Sequence, residues 1–387
     1  MHITLHLTTG CNMRCSYCYA PPHVGPSLSE EVGRRSMDLG ASTTNGSCGV
    51  VFFGGEPLLH KELIRSLVAY GRERERCQAG RFHFKLTTNG LLLDESFLSF
   101  AMKEDILIAM SFDGIREAHN RHRRMSDGSP SFDVLYARLK LLLAARPYSS
   151  VLMVVNPDTI EYLCDSVSFL VDEGFRYILV TLNYTAHWQE SHFPKLARQY
   201  KRLAKLYIQW TEAGRKFYLS PFEVKLSSHI NRHCYHKERC ELAQRQISVD
   251  PRGNLYPCVQ FTQTGSKSEY CIGHVNTGID EASRQRLYMI SAADKKPCDH
   301  CTIRERCNNT CGCLNWQTTG TLTKVSPVLC RHEQMLIPIA DEIGRELYKK
   351  RNPLFLHKHF NVAYPVLSAL EDSFVGSGAI RLPIRKI

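Results

Sequence analysis

Short β-branched runs alternate with longer amphipathic stretches from residue 1 to about residue 190. Six runs have the length and composition of strands: residues 3–7, 49–53, 82–87, 106–111, 150–155 and 176–182. Between them, residues 61–76, 95–103, 132–145 and 160–173 place apolar side chains every three to four positions, the period of a helix with one buried face. Ser27-Leu28-Ser29-Glu30 has the spacing of a capping box and predicts the start of the first helix, and Gly174 predicts a helix stop. Six strand–helix units in alternation imply an α/β fold, with a parallel sheet and right-handed crossovers. Six are too few for a closed eight-stranded barrel, so the expected form is a partial (β/α)6 TIM-like barrel. Its chemistry is expected at the C-terminal strand ends.

The pattern then changes. Residues 193–214 read as one helix rich in Lys, Arg, Leu and Tyr. From Cys234 to Cys330 cysteines become dense and Gly, Pro, Asn and Thr break any long period. Such a segment buries little apolar surface alone and is expected to be held by metal clusters. Residues 333–350 return to helical periodicity, with Pro338 expected to kink or restart the helix. The expected organisation is a barrel over 1–190, a linker helix region over 191–232, a cysteine-rich module over 233–332, and a C-terminal helix and tail over 333–387.

The first chemistry on the chain is Cys11-Asn12-Met13-Arg14-Cys15-Ser16-Tyr17-Cys18, directly after the first strand. A cysteine-bound [4Fe–4S] cluster normally takes four thiolates. Three in one tight loop leave an iron with an open position, where a small molecule can chelate. Zinc favours C-x2-C pairs with a fourth ligand nearby; here the spacing is C-x3-C-x2-C, and His23 is the only neighbouring candidate. Three strand ends add further groups. Gly54-Gly55-Glu56-Pro57 follows the second strand, Thr87-Thr88-Asn89-Gly90 ends the third, and Ser111-Phe112-Asp113-Gly114 ends the fourth, upstream of Arg123. Two glycines at a strand end let backbone approach a ligand. Asn-Gly is also an ordinary turn.

C-x3-C-x-aromatic-C after an N-terminal strand resembles the radical S-adenosylmethionine (SAM) superfamily. The resemblance implies that the open iron binds SAM and that SAM is cleaved to a 5′-deoxyadenosyl radical, which abstracts hydrogen from an unactivated C–H bond. It implies SAM contacts from Gly54, Gly55 and Glu56 to the amino group, from Ser111 and Arg123 to the carboxylate, and from Tyr17 near the adenine. The later cysteines resemble the SPASM extension of the same superfamily: Cys240-x12-Gly253-x4-Cys258, then Cys298-x2-Cys301-x5-Cys307-x3-Cys311, and Cys330. By that resemblance Cys234, Cys240, Cys258 and Cys311 hold a first auxiliary cluster, and Cys298, Cys301, Cys307 and Cys330 a second. The implied cofactors are three [4Fe–4S] clusters and SAM. Whether Cys271 or Cys313 is a ligand stays open, and a zinc ribbon is the plainer reading of Cys298-x2-Cys301.

Composition narrows the setting. The chain has 387 residues and 16 cysteines, with no signal-peptide pattern at its start. So many cysteines without a secretory signal point to metal binding in a reducing compartment, hence the cytoplasm, rather than to a disulfide framework. No apolar run has the length of a membrane span. The net charge of +11 fits an acidic partner such as an acidic leader peptide. There is no recognisable nucleic-acid module, and nucleic acid is not the expected partner.

The expected function is modification of a peptide or protein side chain, by crosslinking or oxidising a ribosomally made peptide, with a reductant such as flavodoxin or ferredoxin as partner. In sulfatase maturases, which the chain also resembles, the cysteine before the gap is followed by an Asp that serves as base. Here Cys258 is followed by Val259-Gln260. Formylglycine formation is therefore the second reading. A non-catalytic scaffold for iron–sulfur clusters or zinc is the third, and a scaffold has no need of a SAM-binding strand end. No catalytic base can be named from the sequence.

Overall fold

All six predicted runs are strands in the computed structural model, which describes residues 1–19, 24–43, 46–77, 80–230, 241–365 and 367–368. They are β1 His2–His6, β2 Ser47–Phe53, β3 Arg81–Thr88, β4 Leu107–Ser111, β5 Ser150–Val155 and β6 Tyr177–Leu182. In β3 every second side chain is buried, as expected where one face meets the covering helices. β1 buries four successive residues and is covered on both faces. Three short strands extend the sheet: β7 Tyr218–Leu219, β8 Gln246–Val249 and β9 Leu255–Tyr256. The order is β7-β6-β5-β4-β3-β2-β1-β8-β9, parallel throughout except for the antiparallel β8–β9 pair. A separate antiparallel pair joins β10 Gly273–His274 to β11 Gly278–Ile279.

The covering helices are α1 Glu30–Ser42, α2 Lys61–Arg76, α3 Glu95–Lys103, α4 Arg116–His122, α5 Phe132–Ala145, α6 Leu163–Asp172 and α7 His192–Glu212. The rest are α8 Ser220–Ile230, α9 Glu281–Ala292, α10 Gly312–Thr319, α11 Pro327–Lys349 and α12 Pro353–Phe360. One continuous apolar core holds them. It includes Ile3, Phe52, Phe84 and Leu139 from the β/α units, and also Ile247, Tyr256 and Phe261 from the cysteine-rich segment. That segment does not stand on metal alone: β8 lies beside β1 with Ile3 opposite Ile247.

Several local expectations shift. The first helix is capped by Ser29, whose Oγ accepts from Val32 N at 3.2 Å. Ser27 lies two residues before that cap and is engaged elsewhere: it forms a bridge with Thr8, and its Oγ meets His60 Nε2 at 2.9 Å. The helix expected over 160–173 starts as a 3-10 turn, Pro157–Tyr162, capped by Asn156 and Thr159, before α6. Gly174 stops it at φ +104°. α11 begins at Pro327, capped by Ser326, and does not restart at Pro338. A proline removes one intrahelical hydrogen bond. Here Leu336, Ile337, Ile339 and Ala340 are buried around it where α11 packs on α7 and α8. α4 has only seven, mostly polar residues, and no apolar period announced it. Among the described residues no helix is long and apolar enough to cross a membrane.

Candidate active site

The cysteine loop leaves the C-terminal end of β1 and is tied down from two sides. On one, Arg14 N donates to Arg124 O and Ser16 N to His122 O, both at 2.9 Å, and Met13 bridges Met125. On the other, Gly55 N donates to Thr8 O at 2.8 Å and Glu56 N to Gly10 O at 2.9 Å. Gly54 has φ +127°, and a Cβ there would stand 2.4 Å from Thr8 O; a Cβ on Gly55 would stand 2.0 Å from Gly10 O. The two glycines thus admit the backbone of the cysteine loop itself, in addition to bordering the cavity described next.

That cavity, of about 680 Å³, opens at the C-terminal ends of β1 to β6. Cys11, Cys15, Cys18, Tyr17, Gly54, Gly55, Ser111 and Arg123 all line it. The cysteine-rich segment also contributes to the lining: Gln260, Cys311, Cys313, Leu314 and Gln317. Sequence reasoning missed Tyr184 and Gln317. Tyr184 follows β6 and lines the cavity, with its hydroxyl 2.9 Å from His332 Nδ1. Gln317 lies on α10 and donates to Gln260. Neither carries a motif; only the topology brings them here.

Arg123 is 5 % exposed. Its Nη1 donates to the Tyr17 hydroxyl at 2.7 Å, and Tyr17 donates to Asp113 Oδ2 at 2.8 Å. Asp113 Oδ1 accepts from Val154 N at 3.0 Å, which fixes the chain to β5. Burial opposes the guanidinium charge, but Tyr17, Cys15 and Asp113 outweigh it and raise its pKa. Arg123 Nε has no protein partner. A buried donor on a cavity wall is costly unless something accepts from it.

Glu56 departs from expectation. Its carboxylate is fully buried and is not on the cavity wall. It accepts from Leu58 N at 3.0 Å, Thr88 Oγ1 at 2.6 Å and Asn89 N at 2.7 Å. Burial raises its pKa and these donors oppose the rise. Three donors inside the scaffold hold it more firmly than the cavity could, so it ties the end of β2 to the end of β3. Asn89 is buried and lines the cavity.

Burial pushes Cys11 up to about 11, against the Met13 N–H, and raises Cys15 against Arg123. In the cysteine-rich segment Cys313 lies 3.5 Å from Cys311 and shares its hydrogen with Cys311 and Cys258; that sharing lowers both partners and raises Cys313. Cys307 is pushed up to about 12 by burial and Glu333, and it senses Cys330, which senses Cys298 and Cys301. Cys234 and Cys240, and His23 of the first loop, lie outside the described residues. Cys271 Sγ meets Gly273 O. Among the described residues no three His, Cys, Asp or Glu side chains are grouped to grip a single metal ion.

Residues 5–170 match the sequence profile of the Radical SAM superfamily, and this span holds the loop and the first four cavity-lining strand ends. That span carries a radical SAM domain. It is 23% identical to the cysteine-type anaerobic sulfatase-maturating enzyme of Clostridium novyi, over 69% of this chain and 74% of that one. It is also 23% identical to the serine-type anaerobic sulfatase-maturating enzyme of Bacteroides thetaiotaomicron, over 90% and 92%. Among solved structures, native anSMEcpe with bound AdoMet and Kp18Cys peptide superposes with a TM-score of 0.77 at 18% identity, covering 90% of this chain and 99% of that one. Streptococcus suis SuiB bound to precursor peptide SuiA gives 0.58 at 13%, covering 85% and 75%. These likenesses establish the α/β fold with its parallel sheet.

The match of residues 5–170 to the Radical SAM superfamily implies a [4Fe–4S] cluster and SAM. The residues present fit that pair. Three thiols of one loop line a cavity that also carries the unpartnered Arg123 Nε, a donor suited to a carboxylate.

Proposed function

We propose that this chain is a radical SAM enzyme that modifies a side chain of a ribosomally made peptide, by crosslinking or oxidation. Cys11, Cys15 and Cys18 hold the SAM cluster, Gly54 and Gly55 receive the amino group of SAM, Ser111 and Arg123 its carboxylate, and Tyr17 flanks the adenine. Cys234, Cys240, Cys258 and Cys311 hold one auxiliary cluster, and Cys298, Cys301, Cys307 and Cys330 a second, in a SPASM module over 233–332. When bound, SAM on its cluster supplies hydrogen-atom abstraction from an unactivated C–H bond. The protein's own part is position and exclusion of water.

One observation carries the reading. The three loop thiols and the Cys311–Cys313 thiols line one and the same cavity. A substrate side chain between them has the radical source on one side and an electron acceptor on the other. The lining between is amide, hydroxyl and aliphatic: Asn183, Thr181, Ser220, Gln260, Gln317 and Leu179. Such groups suit a peptide backbone with its alternating donors and acceptors. The net charge of +11 favours an acidic leader, steered in solution. Homologous structures include enzymes with a bound peptide, which supports this substrate class. A flavodoxin- or ferredoxin-like donor in the cytoplasm completes the cycle.

The second reading is formylglycine formation, favoured by the likeness to sulfatase-maturating enzymes over nearly the whole chain. Against it stand Val259 and Gln260 after Cys258. Gln260 lines the cavity with its amide engaged by Gln317, and an amide does not accept a proton at neutral pH. The test is anaerobic reconstitution with iron and sulfide, then reduction in the presence of SAM and of a small peptide encoded beside this protein. Release of 5′-deoxyadenosine with a matching mass change in the peptide supports the proposal. Release of 5′-deoxyadenosine with conversion of a sulfatase peptide instead supports the second reading.

A further inference from the structure

Asn89 touches the cysteine loop at two atoms. Its Nδ2 donates to Cys11 Sγ at 3.7 Å and to Asn12 Oδ1 at 2.8 Å. The orientation of the amide is set by its other end, because Oδ1 accepts from Leu91 N at 2.9 Å. An amide has one acceptor and one donor end, so the nitrogen is the end that meets sulfur. The Asn89 backbone N–H is held in turn by Glu56 Oε2 at 2.7 Å, and the neighbouring Thr88 hydroxyl by Oε1 at 2.6 Å. Backbone N–H groups of Met13 and Arg124 also reach Cys11 and Cys15, but those belong to the loop and its tether. Asn89 comes from the end of a different strand and brings a side-chain donor of its own.

A hydrogen bond to a ligating sulfur stabilises the more electron-rich form of an iron–sulfur cluster, and so raises its reduction potential. We infer that Asn89 sets the reduction potential of the cluster on Cys11, Cys15 and Cys18, and that Glu56 is the positioning residue that keeps Asn89 on Cys11. This rests on the assignment of that cluster in the proposed function. The buried Glu56 carboxylate then has a role away from SAM: it fixes the donor that makes the cluster easier to reduce.

The experiment compares the parent protein with Asn89→Leu, Asn89→Ala and Glu56→Gln, each reconstituted anaerobically. Iron per chain is measured first. The midpoint potential is then read from a dithionite titration followed by EPR, using the signal that changes on adding SAM, which separates this cluster from any auxiliary one. With iron retained, both Asn89 variants are expected to titrate at lower potential than the parent, and Glu56→Gln to shift the same way by less. A merely structural Asn89 would change iron content without moving the potential of the clusters that form. An unchanged midpoint in either Asn89 variant overturns the inference. If neither variant holds iron, the parent labelled with ¹⁵N-asparagine decides. Pulsed EPR of the reduced, SAM-responsive cluster should detect coupling to the label, and its absence overturns the inference. A parent with no SAM-responsive signal would instead overturn the cluster assignment.

Discussion

The Arg123 guanidinium and the Tyr17 hydroxyl meet at 2.7 Å, and Tyr17 passes the contact on to Asp113 at 2.8 Å. A tyrosine inside the cysteine loop thus joins a buried cation to a buried carboxylate across the cavity rim. Tyr17→Phe removes the bridge and leaves both charged groups short of a partner. Loss of such a bond to buried charge costs about 1–3 kcal/mol. The variant should unfold at lower denaturant than the parent, with weaker SAM binding by equilibrium dialysis. Parent-like values in both assays would show that Arg123 and Asp113 find other partners.

Gly55→Ala should act first on the loop, and on the ligand only through it. The added methyl would stand 2.0 Å from Gly10 O, a backbone atom with no room to yield. The expected outcome is loss of the iron proposed to sit at the first loop, while iron bound by the proposed auxiliary sites is retained. Full iron with weakened SAM binding would show that the glycine serves the ligand alone.

Stability should fall in mild acid. Burial lowers His6 from 6.5 to about 4, and burial with Lys225 lowers His332 to about 3. Below 6.5 the unfolded chain takes up protons that these folded imidazoles refuse, so stability is lost as pH falls through 6.5 toward the folded values. Each such histidine costs about 1.4 kcal/mol per pH unit inside its window. The urea midpoint of metal-free protein should drop between about pH 7.5 and about pH 5, and His6→Gln should flatten the slope. A flat profile in the parent would contradict the burial of both groups.

Peptides with the C-x-P-x-R sulfatase motif should not be converted, even while SAM is being cleaved. That route needs a carboxylate to take the hydroxyl or thiol proton. Val259 and Gln260 supply none. Conversion of the Ser or Cys peptide, by mass spectrometry and at the rate of deoxyadenosine release, would favour the maturase reading.

Much of the scaffold was legible in the sequence. The bounds of α2, α3 and α5 follow from apolar period alone, because each is long and buries one face. β8 was not legible: four residues, three of them buried, have no alternation to read. The site divides the same way. Cysteine spacing announces the loop, since the residues that hold one cluster are close in sequence. The inward turn of Glu56 is not announced, because its partners Thr88 and Asn89 lie a strand away. Asn89-Gly90 reads locally as a turn, and the Asn89–Cys11 contact arises only when β2 and β3 pair beside β1. Gly55 was legible as a close approach, but what it approaches was not.

β1 lies between β2 and β8, so residues 2–6 are completed by residues near 247, which are synthesised much later. Until those emerge, one edge of β1 stays unpaired, next to the loop proposed to hold metal. An open strand edge recruits other chains, and contacts of such long sequence separation form slowly. The order of events on the ribosome therefore favours late metal loading. A loop filled early would sit on a strand whose second neighbour did not yet exist.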